Sequence, residues 1–112
     1  MWQVQYVEPF EEWFWSLSDV DRQNVWSGIV LLQERGPMLR RPYADTVNGS
    51  RYSNMKELRV QSQGRPLRVF FAFDPERRGV LLCAGDKTGN DRFYEEMIPV
   101  ADQEYAAHLG ES

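Results

Sequence analysis

Apolar and polar residues alternate at the start of the chain and then recur at helical spacing. Every second residue of "WQVQYV" is apolar, which predicts a first strand. Pro9 suits the first turn of a short helix through "PFEEWFWSL". Ser18 favours the start of a second helix at about Asp19, and Gly36, which a proline follows, favours its end. We expect these two helices to form one layer on a sheet.

The middle of the chain carries loop signals and then hairpin signals. Residues 38–54 show no clear periodicity and are rich in turn formers, so we expect a loop. The segments "MKELRV" and "PLRVFFAFD" flank "QSQGR", which predicts a hairpin with Gln63 and Gly64 as its two-residue turn. A second turn at residues 74–79 leads into "VLLCAG". The last two strands are apolar on both faces, as central strands are.

The C-terminal segment has a helical pattern interrupted by Pro99. Because proline lacks an amide proton and disfavours helix at the preceding residue, we expect a kink there or two short helices ending near Gly110. The predicted class is α+β: a small antiparallel (mixed) sheet, two N-terminal helices packed on it and a C-terminal helical segment. A length of 112 residues predicts one domain, residues 1–112.

Composition narrows the classes of protein that the chain can belong to. A hydrophobic content of 42% indicates a folded globule. One cysteine and one histidine leave no internal disulfide and no zinc set, so we expect neither a metal nor another cofactor. The first ten residues do not resemble a signal peptide, and no apolar stretch approaches the roughly 20 residues of a membrane helix. We therefore expect a cytoplasmic location and no membrane contact.

The charge is unevenly distributed along the chain. The net charge of −4 would ordinarily argue against a nucleic-acid binder. Residues 1–34 hold one base and six acids, and residues 93–112 hold five acids and no lysine or arginine. Residues 35–92 hold twelve bases against six acids, a net charge of +6. Because the local field matters more to a polyanion than the total charge, the middle segment is the candidate anion-binding region. Chance clustering on a solvated surface is the alternative.

A pair of arginines stands out within the predicted hairpin. If Ser62 faces Arg65 across the turn, then Arg59 faces Arg68 three pairs further back. Like charges directly opposite each other destabilise a sheet, although Glu57, placed diagonally from Arg68, would offset part of the repulsion. One interpretation is a structural Glu–Arg–Arg cluster. The other is a phosphate site, because guanidinium groups match phosphate oxygens in pairs.

Further polar residues follow the predicted strands and can converge on the same region. Lys56 starts one strand, Lys87 ends another, and Arg92 and Tyr94 lie on the next segment. Cations near Tyr94 would favour its ionised form, so we expect its pKa to fall below about 10. Such a phenol could take a proton from a ribose 2'-hydroxyl while arginines stabilise the phosphate, without a metal. A plain packed aromatic is the alternative for Tyr94.

Three segments together resemble a known family. The segments "NGSRYSNMKELRV", "GRPLRVFFAFDPERRGVLLCAGDKTG" and "RFYEEMIPVADQEYAAHL" are similar to the RelE/HigB superfamily of bacterial toxins, in its phage-derived HigB-like branch. The resemblance covers roughly residues 2–109. It implies a RelE-like fold and cleavage of mRNA on the ribosome by attack of a 2'-hydroxyl on the adjacent phosphate. It also implies a cognate antitoxin encoded nearby, typically a helix-turn-helix HigA-like protein, and contact with operator DNA only through that antitoxin.

The resemblance also implies roles for individual residues. Arg68 matches the family's phosphate-contacting arginine, Lys87 lies where relatives carry a base near the leaving group, and Tyr94 resembles an aromatic near the target nucleotide. The expected catalytic residues are Arg68, Lys87, Tyr94, Lys56 and Glu57, with Glu57 as a base or an orienting partner. The expected RNA-phosphate contacts are Arg59 and Arg92, together with Arg40, Arg41 and Arg51 of the basic middle segment.

The sequence is compatible with two other functions. The first is a non-catalytic member of the same fold that binds RNA, or only an antitoxin, through the basic face. The second is a phage structural or assembly protein, which would self-associate and ignore RNA. Loss of RNA cleavage on substitution of Arg68 or Tyr94 separates the toxin from both.

Overall fold

The computed structural model describes residues 1–111 of the chain. Its elements are, in chain order, β1 (Val4–Tyr6), α1 (Glu8–Ser16), α2 (Asp19–Arg35), β2 (Ala44–Thr46), β3 (Lys56–Ser62), β4 (Arg65–Phe73), β5 (Gly79–Asp86) and α3 (Phe93–His108). A single 3₁₀ turn, Gly36–Met38, follows α2. None of these helices has the length and apolar composition that crossing a bilayer requires.

The five strands form one mixed sheet in the order β1-β5-β4-β3-β2. Strand β1 pairs in parallel with β5, and the remaining neighbours are antiparallel. The predicted α+β class is therefore confirmed. The two strands with apolar residues on both faces, β4 and β5, lie inside the sheet as predicted, because each has a neighbour on both sides.

The hairpin between β3 and β4 has the predicted register. Gln63 and Gly64 both have positive φ angles, 51° and 77°, which is the backbone of a two-residue turn that matches strand twist. Ser62 therefore pairs with Arg65, and Arg59 pairs with Arg68. The two arginines stand directly opposite each other, as the sequence predicts.

Helices cover both faces of the sheet. On one face, α1 and α2 bury Phe10, Val25 and Ile29 against the sheet residues Leu58 and Val69. This confirms the predicted helical layer. On the other face, α3 closes a second core, whose members include Phe70, Leu82, Phe93, Ala101 and Tyr105. The sheet thus separates two apolar layers, and every polar residue on a central strand has to be accommodated within one of them.

Local signals set the ends of α2. The Ser18 hydroxyl accepts a hydrogen bond from the Asp21 amide at 3.2 Å, which satisfies one of the free amides of the first turn. The helix ends at Gly36, whose φ of 56° is readily adopted only without a side chain. A Cβ at this position would also lie 2.5 Å from the ring of Trp2. Gly36 is thus needed both for the backbone turn and for the packing of Trp2.

A buried carboxylate fixes α2 to the hairpin turn. Asp21 accepts hydrogen bonds from the Ser62 hydroxyl at 2.5 Å and the Gln63 amide at 3.0 Å, and it pairs with Arg65. These hydrogen bonds, with that from Arg65, lower the pKa of Asp21 far below its ordinary value. Arg65 also contacts Asp86 at 3.1 Å. Arg65 is therefore a structural arginine on the α2 side of the sheet.

One prediction of local structure was wrong, and one pair of alternatives is resolved in part. The predicted loop at residues 38–54 contains β2, a three-residue strand that pairs with Lys56–Leu58. The C-terminal segment is helical as predicted, and it is one helix that runs through Pro99, so the alternative of two short helices is excluded. Proline at the seventh position removes one backbone hydrogen bond, but Phe93 before it and Ala101 and Tyr105 after it pack into the same core. Burial along the whole segment outweighs the missing bond.

Candidate functional site

A charged group lies on the sheet face that α3 covers. Residues two apart on a strand share a face, so Glu57 and Arg59 of β3 lie on the same side as Arg68 and Phe70 of β4. Phe70 belongs to the α3 core. The charged side chains therefore stand beside that core, next to the N-terminal end of α3, and away from α1 and α2.

Tyr94 connects the first turn of α3 to this group. Its hydroxyl donates a hydrogen bond to Oε1 of Glu57 at 2.7 Å. The ring packs edge-on against Phe70 and Phe93, with centroids 6.1 and 5.3 Å away. These aromatic contacts hold the ring in place, so the hydroxyl is directed at one carboxylate oxygen.

Arg68 is the most buried cation of the group. Its side chain is 7% exposed, and that of Glu57 is 9% exposed. Nη1 of Arg68 donates to the Leu67 carbonyl at 3.0 Å, whereas Nε lies 3.8 Å from Glu57 Oε1, beyond hydrogen-bond distance. Within residues 1–111, the buried Nε therefore has no hydrogen-bond partner. Burying a donor without an acceptor costs free energy. Such an unpaired donor is expected at a site where the guanidinium is positioned to bind a ligand oxygen.

Lys87 completes the group from the turn after β5. Its ammonium nitrogen lies 5.3 Å from the centroid of the Tyr94 ring, a cation–π contact. Its backbone amide donates to the Pro66 carbonyl at 3.0 Å, and the Asp86 carboxylate accepts from the Thr88 amide at 2.9 Å. The hydrogen bond of the Lys87 amide and the contact between the Asp86 carboxylate and the Thr88 amide thus fix the turn. We call Glu57, Arg59, Arg68, Lys87 and Tyr94 the central cluster.

The predicted fall in the pKa of Tyr94 was wrong. Burial raises the pKa of the phenol, the hydrogen bond to Glu57 and its negative charge raise it further, and Arg68 opposes them. The sequence suggested the reverse because only the neighbouring cations were visible. The acceptor, Glu57, lies 37 residues away along the chain. Tyr94 is therefore a protonated donor at neutral pH and not a phenolate.

A second carboxylate of the face was missed by sequence reasoning. Asp45 of β2 pairs with Glu57 across the β2–β3 ladder. Arg41 binds Asp45 at 2.7 Å, and this contact, with the Thr46 amide, lowers the pKa of Asp45. Strand β2 has only three residues and no alternation of apolar and polar positions, so the sequence gave no sign of this pairing. Four cations and two carboxylates are therefore grouped here, an excess of positive charge that suits an anion. They are Arg41, Arg59, Arg68 and Lys87 with Asp45 and Glu57.

Other residues predicted for the site lie elsewhere or at its edge. Lys56 is on the strand face of Leu58 and Val60, opposite to Glu57. Arg51 stacks on Tyr52 and lies 3.6 Å from Glu111, beyond the C-terminal end of α3. The two remaining predicted cations are exposed. Arg92 precedes α3 and pairs with Glu95 at 3.2 Å, and Arg40 lies before β2.

The fold is that of the RelE toxins. A solved structure of an E. coli RelE double mutant in the free state superposes with a TM-score of 0.62 over 86% of this chain and 94% of that chain, at 12% sequence identity. At that identity the likeness concerns the fold alone. It agrees with the RelE-like architecture expected from the sequence.

Sequence comparison gives the family. The model of the family described as "Phage derived protein Gp49-like" matches residues 12–106, and the chain belongs to this family. Two Mycobacterium tuberculosis proteins described as candidate toxins, HigB2 and HigB3, are 45% and 48% identical over 107 and 101 residues. These alignments cover 94% and 89% of this chain. The chain spans about half of the first relative's length (53%) and 87% of the second's. The predicted resemblance to RelE/HigB-type toxins is confirmed.

Proposed function

We propose that the chain is the toxin of a type II toxin–antitoxin pair and that it cleaves mRNA, inhibiting translation. The observation that carries the proposal is Arg68, a nearly buried guanidinium whose Nε has no hydrogen-bond partner among the described residues. It stands beside a phenol and a carboxylate that share a hydrogen bond. The toxin names of the Mycobacterium relatives support the biological setting. The proposed partners are a HigA-like antitoxin, the ribosome and its message.

In the proposed reaction, the scissile phosphate lies between Arg68 and Lys87. The ribose 2'-oxygen attacks phosphorus, and its proton passes to the Tyr94 oxygen while the Tyr94 proton passes to Glu57. A bond forms between O2' and phosphorus, and the bond between phosphorus and O5' breaks. The leaving 5'-oxygen takes a proton from the Lys87 ammonium or from water. The products are a 2',3'-cyclic phosphate and a 5'-hydroxyl.

This scheme follows from the protonation state of Tyr94. A phenol with a raised pKa cannot act as a phenolate base, but it can relay a proton when a carboxylate accepts its own. The cations stabilise the negative charge that develops on the phosphate oxygens in the transition state. Action on ribosome-bound message is part of the proposal through the family resemblance. The exposed Arg40 and Arg41 are proposed to contact RNA phosphates outside the central cluster.

The test is induced expression in a bacterial host with mapping of cellular mRNA 5' ends. Wild type is expected to arrest growth and to produce new ends in coding regions, whereas Arg68→Ala and Tyr94→Phe are expected to do neither. Arg35→Ala is the matched arginine control, because Arg35 is exposed at the end of α2. Intact messages in cells that contain soluble wild-type protein would contradict the proposal.

A non-catalytic RNA- or antitoxin-binding function has one observation in its favour. The side chains of Arg68 and Glu57 are both more than nine-tenths buried, as in a structural ion cluster. Such a protein would bind RNA without forming product, and Arg68→Ala would then lower stability and leave no activity to lose. Analysis of the incubated RNA for a 2',3'-cyclic phosphate separates the two functions.

A further inference from the structure

The sheet face opposite the central cluster carries an apolar groove. Residues of α1 and α2, which follow each other in the chain, line a space of about 640 Å³ that extends to β1. Its floor includes Phe10, Ile29 and Leu81. Trp15 and Trp26 line it as well, and they are 64% and 53% exposed.

This exposure is unusual for side chains of such size. Tryptophan is highly buried on average, and neighbouring exposed apolar residues mark interaction sites. Tyr6, also more than half exposed, lines the same groove and gives it a third accessible aromatic. Large aromatic side chains at the rim of a groove between helices are the groups that anchor an inserted helix in other complexes. The groove therefore has the composition of a docking surface.

The charge around the groove limits what can occupy it. Glu11 and Asp19 line it, and residues 1–34 carry six acids against one base. That base, Arg22, also lines the groove, but its guanidinium is engaged with the Leu17 carbonyl and with Asp19 and lies over the Trp15 ring. A second copy of this chain would bring the same negative surface and be repelled. An RNA strand would be repelled for the same reason. A partner that carries lysine or arginine beside apolar side chains is complementary.

The groove and the central cluster lie on opposite faces of the sheet. The groove uses the layer of Phe10 and Ile29, whereas Arg68 and Tyr94 stand beside the layer of Phe70. A partner in the groove would leave the RNA face open. Substitutions on one face can therefore be tested without disturbing the other face, because distant sites without shared contacts act independently.

We propose that this groove is the docking site for an amphipathic helical segment of the antitoxin, apolar on one face and flanked by lysine or arginine. The inference rests on the proposed function for the identity of the partner. The apolar face of the segment packs on Trp15 and Trp26, and its basic flank lies along Glu11. The occupant is a protein segment, because the groove is too apolar and too acidic for a polyanion.

The test uses the full-length chain and the purified product of the adjoining antitoxin gene, titrated by calorimetry. Trp26→Ala is expected to raise Kd by at least about tenfold, as loss of an aromatic anchor does. Tyr43→Ala is the matched control, because Tyr43 is equally accessible (47% exposed) but does not line the groove. Its Kd is expected to stay within about twofold of wild type. Circular dichroism melts identify any variant that fails to fold.

A matched pair of charge reversals tests the electrostatic part. Glu11→Lys is expected to weaken binding, whereas Glu12→Lys, one residue along α1 and outside the groove lining, is expected to have a smaller effect. Raising the salt concentration is expected to reduce the difference between wild type and Glu11→Lys. Equal effects of the two reversals would mean that general charge, and not the groove, attracts the partner, and the proposal would be wrong.

Failure of the inference and failure of the proposed function give different results. Growth arrest by wild type, with an antitoxin that binds Trp26→Ala and Glu11→Lys as tightly as wild type, overturns the docking site alone. An absence of growth arrest, with antitoxin binding that Trp26→Ala weakens, overturns only the RNA-cleaving function. A wild-type dimer in light scattering that Trp26→Ala dissociates would make a second copy the occupant. An adjoining gene product that does not bind wild type also overturns the proposal.

Discussion

At the residue scale, the proposed function of the central cluster depends on the hydrogen bond between Tyr94 and Glu57. The hydroxyl is the only group of Tyr94 that can move a proton, and the ring also packs on Phe70 and Phe93. Removing the oxygen while keeping the ring therefore separates the chemical role from the packing role. In the proposed reaction, the oxygen relays the 2'-hydroxyl proton.

Tyr94→Phe is expected to lower the rate of RNA cleavage by about 100-fold, the usual size of a general acid–base contribution. The rate is measured on a defined message with purified protein and ribosomes, and a thermal melt reports folding. Tyr52→Phe is the control, because the Tyr52 hydroxyl also donates to a carboxylate, Glu111, but lies away from the cluster. A cleavage rate unchanged by Tyr94→Phe would exclude the proton relay.

Sequence reasoning predicted part of this site and missed part for physical reasons. The positions of Arg59 and Arg68 follow from the two-residue turn, since one turn fixes the register of the whole hairpin. The contact between Tyr94 and Glu57 joins elements that are distant along the chain, and no local pattern encodes it. The face of Lys56 could have been derived from strand alternation with Glu57, once β3 was known to begin at Lys56.

At the element scale, α3 is fixed to the sheet at both ends. Tyr94 binds Glu57 at its N-terminal end, and His108 in its last turn contacts Asp74 at 2.9 Å. Oδ2 of Asp74 also lies 3.0 Å from Nη2 of Arg78. Burial alone would raise the pKa of Asp74, but the hydrogen bonds from His108, the Arg78 amide and the Arg78 side chain outweigh it and lower the pKa to about 2.

This lowered pKa makes the stability of the protein depend on pH. A carboxyl whose folded pKa lies below its unfolded value of about 3.9 stabilises the fold fully at higher pH and loses that contribution as pH falls toward 2. Asp74→Asn is expected to be clearly less stable than wild type at pH 6, and the difference is expected to shrink between about pH 4 and pH 2. Denaturant unfolding at a series of pH values measures it.

The control for the pH experiment is Glu76→Gln, which removes a mostly exposed carboxylate beside the same Arg78. An exposed pair contributes little, so this variant is expected to stay close to wild type at every pH. A difference between Asp74→Asn and wild type that stays constant from pH 6 to pH 2 would mean that packing, and not the ionised carboxylate, is responsible.

Substitution of Gly36 tests how much the packing of Trp2 against the end of α2 contributes to stability. Gly36→Ala is expected to destabilise the fold by roughly 2–4 kcal/mol, because a positive φ and a contact with the Trp2 ring act together. Gly64→Ala has a positive φ but no atom within 4 Å of its new Cβ, so a cost of only about 1 kcal/mol is expected. Equal losses of unfolding free energy in the two variants would show that Trp2 can move aside.

Strand β2 and the uninterrupted course of α3 through Pro99 were not fixed by the sequence pattern, and they share one cause. Strand β2 has three residues, too few for an alternating pattern, and it exists because the edge of β3 is available for pairing. Helix α3 continues through Pro99 because residues on both sides of it are buried. Tertiary contacts decide both features: the local pattern gave no sign of β2 and did not fix whether the helix continues past Pro99.

At the scale of the whole molecule, an acidic surface and a basic one lie on opposite sides of the sheet. Helices α1 and α2 carry exposed acids on one side, while the central cluster lies on the other. A net charge of −4 therefore coexists with a basic surface. Such an arrangement lets one molecule attract a polyanion on one side and a basic protein segment on the other.

The separation of charge predicts a salt dependence that belongs to one face. Binding of single-stranded RNA is measured with the Tyr94→Phe variant, in which cleavage is expected to be about 100-fold slower. This binding is expected to weaken steeply with salt. Arg59→Ala in that background should reduce the slope of log K against log salt by about 0.7, the value for one phosphate contact on a single strand. Arg35→Ala, at the end of α2, should leave the slope unchanged, because that helix packs on the other face. Equal changes in slope for both variants would mean that RNA senses only the total charge, and the central cluster would then lose its role as the RNA-binding surface.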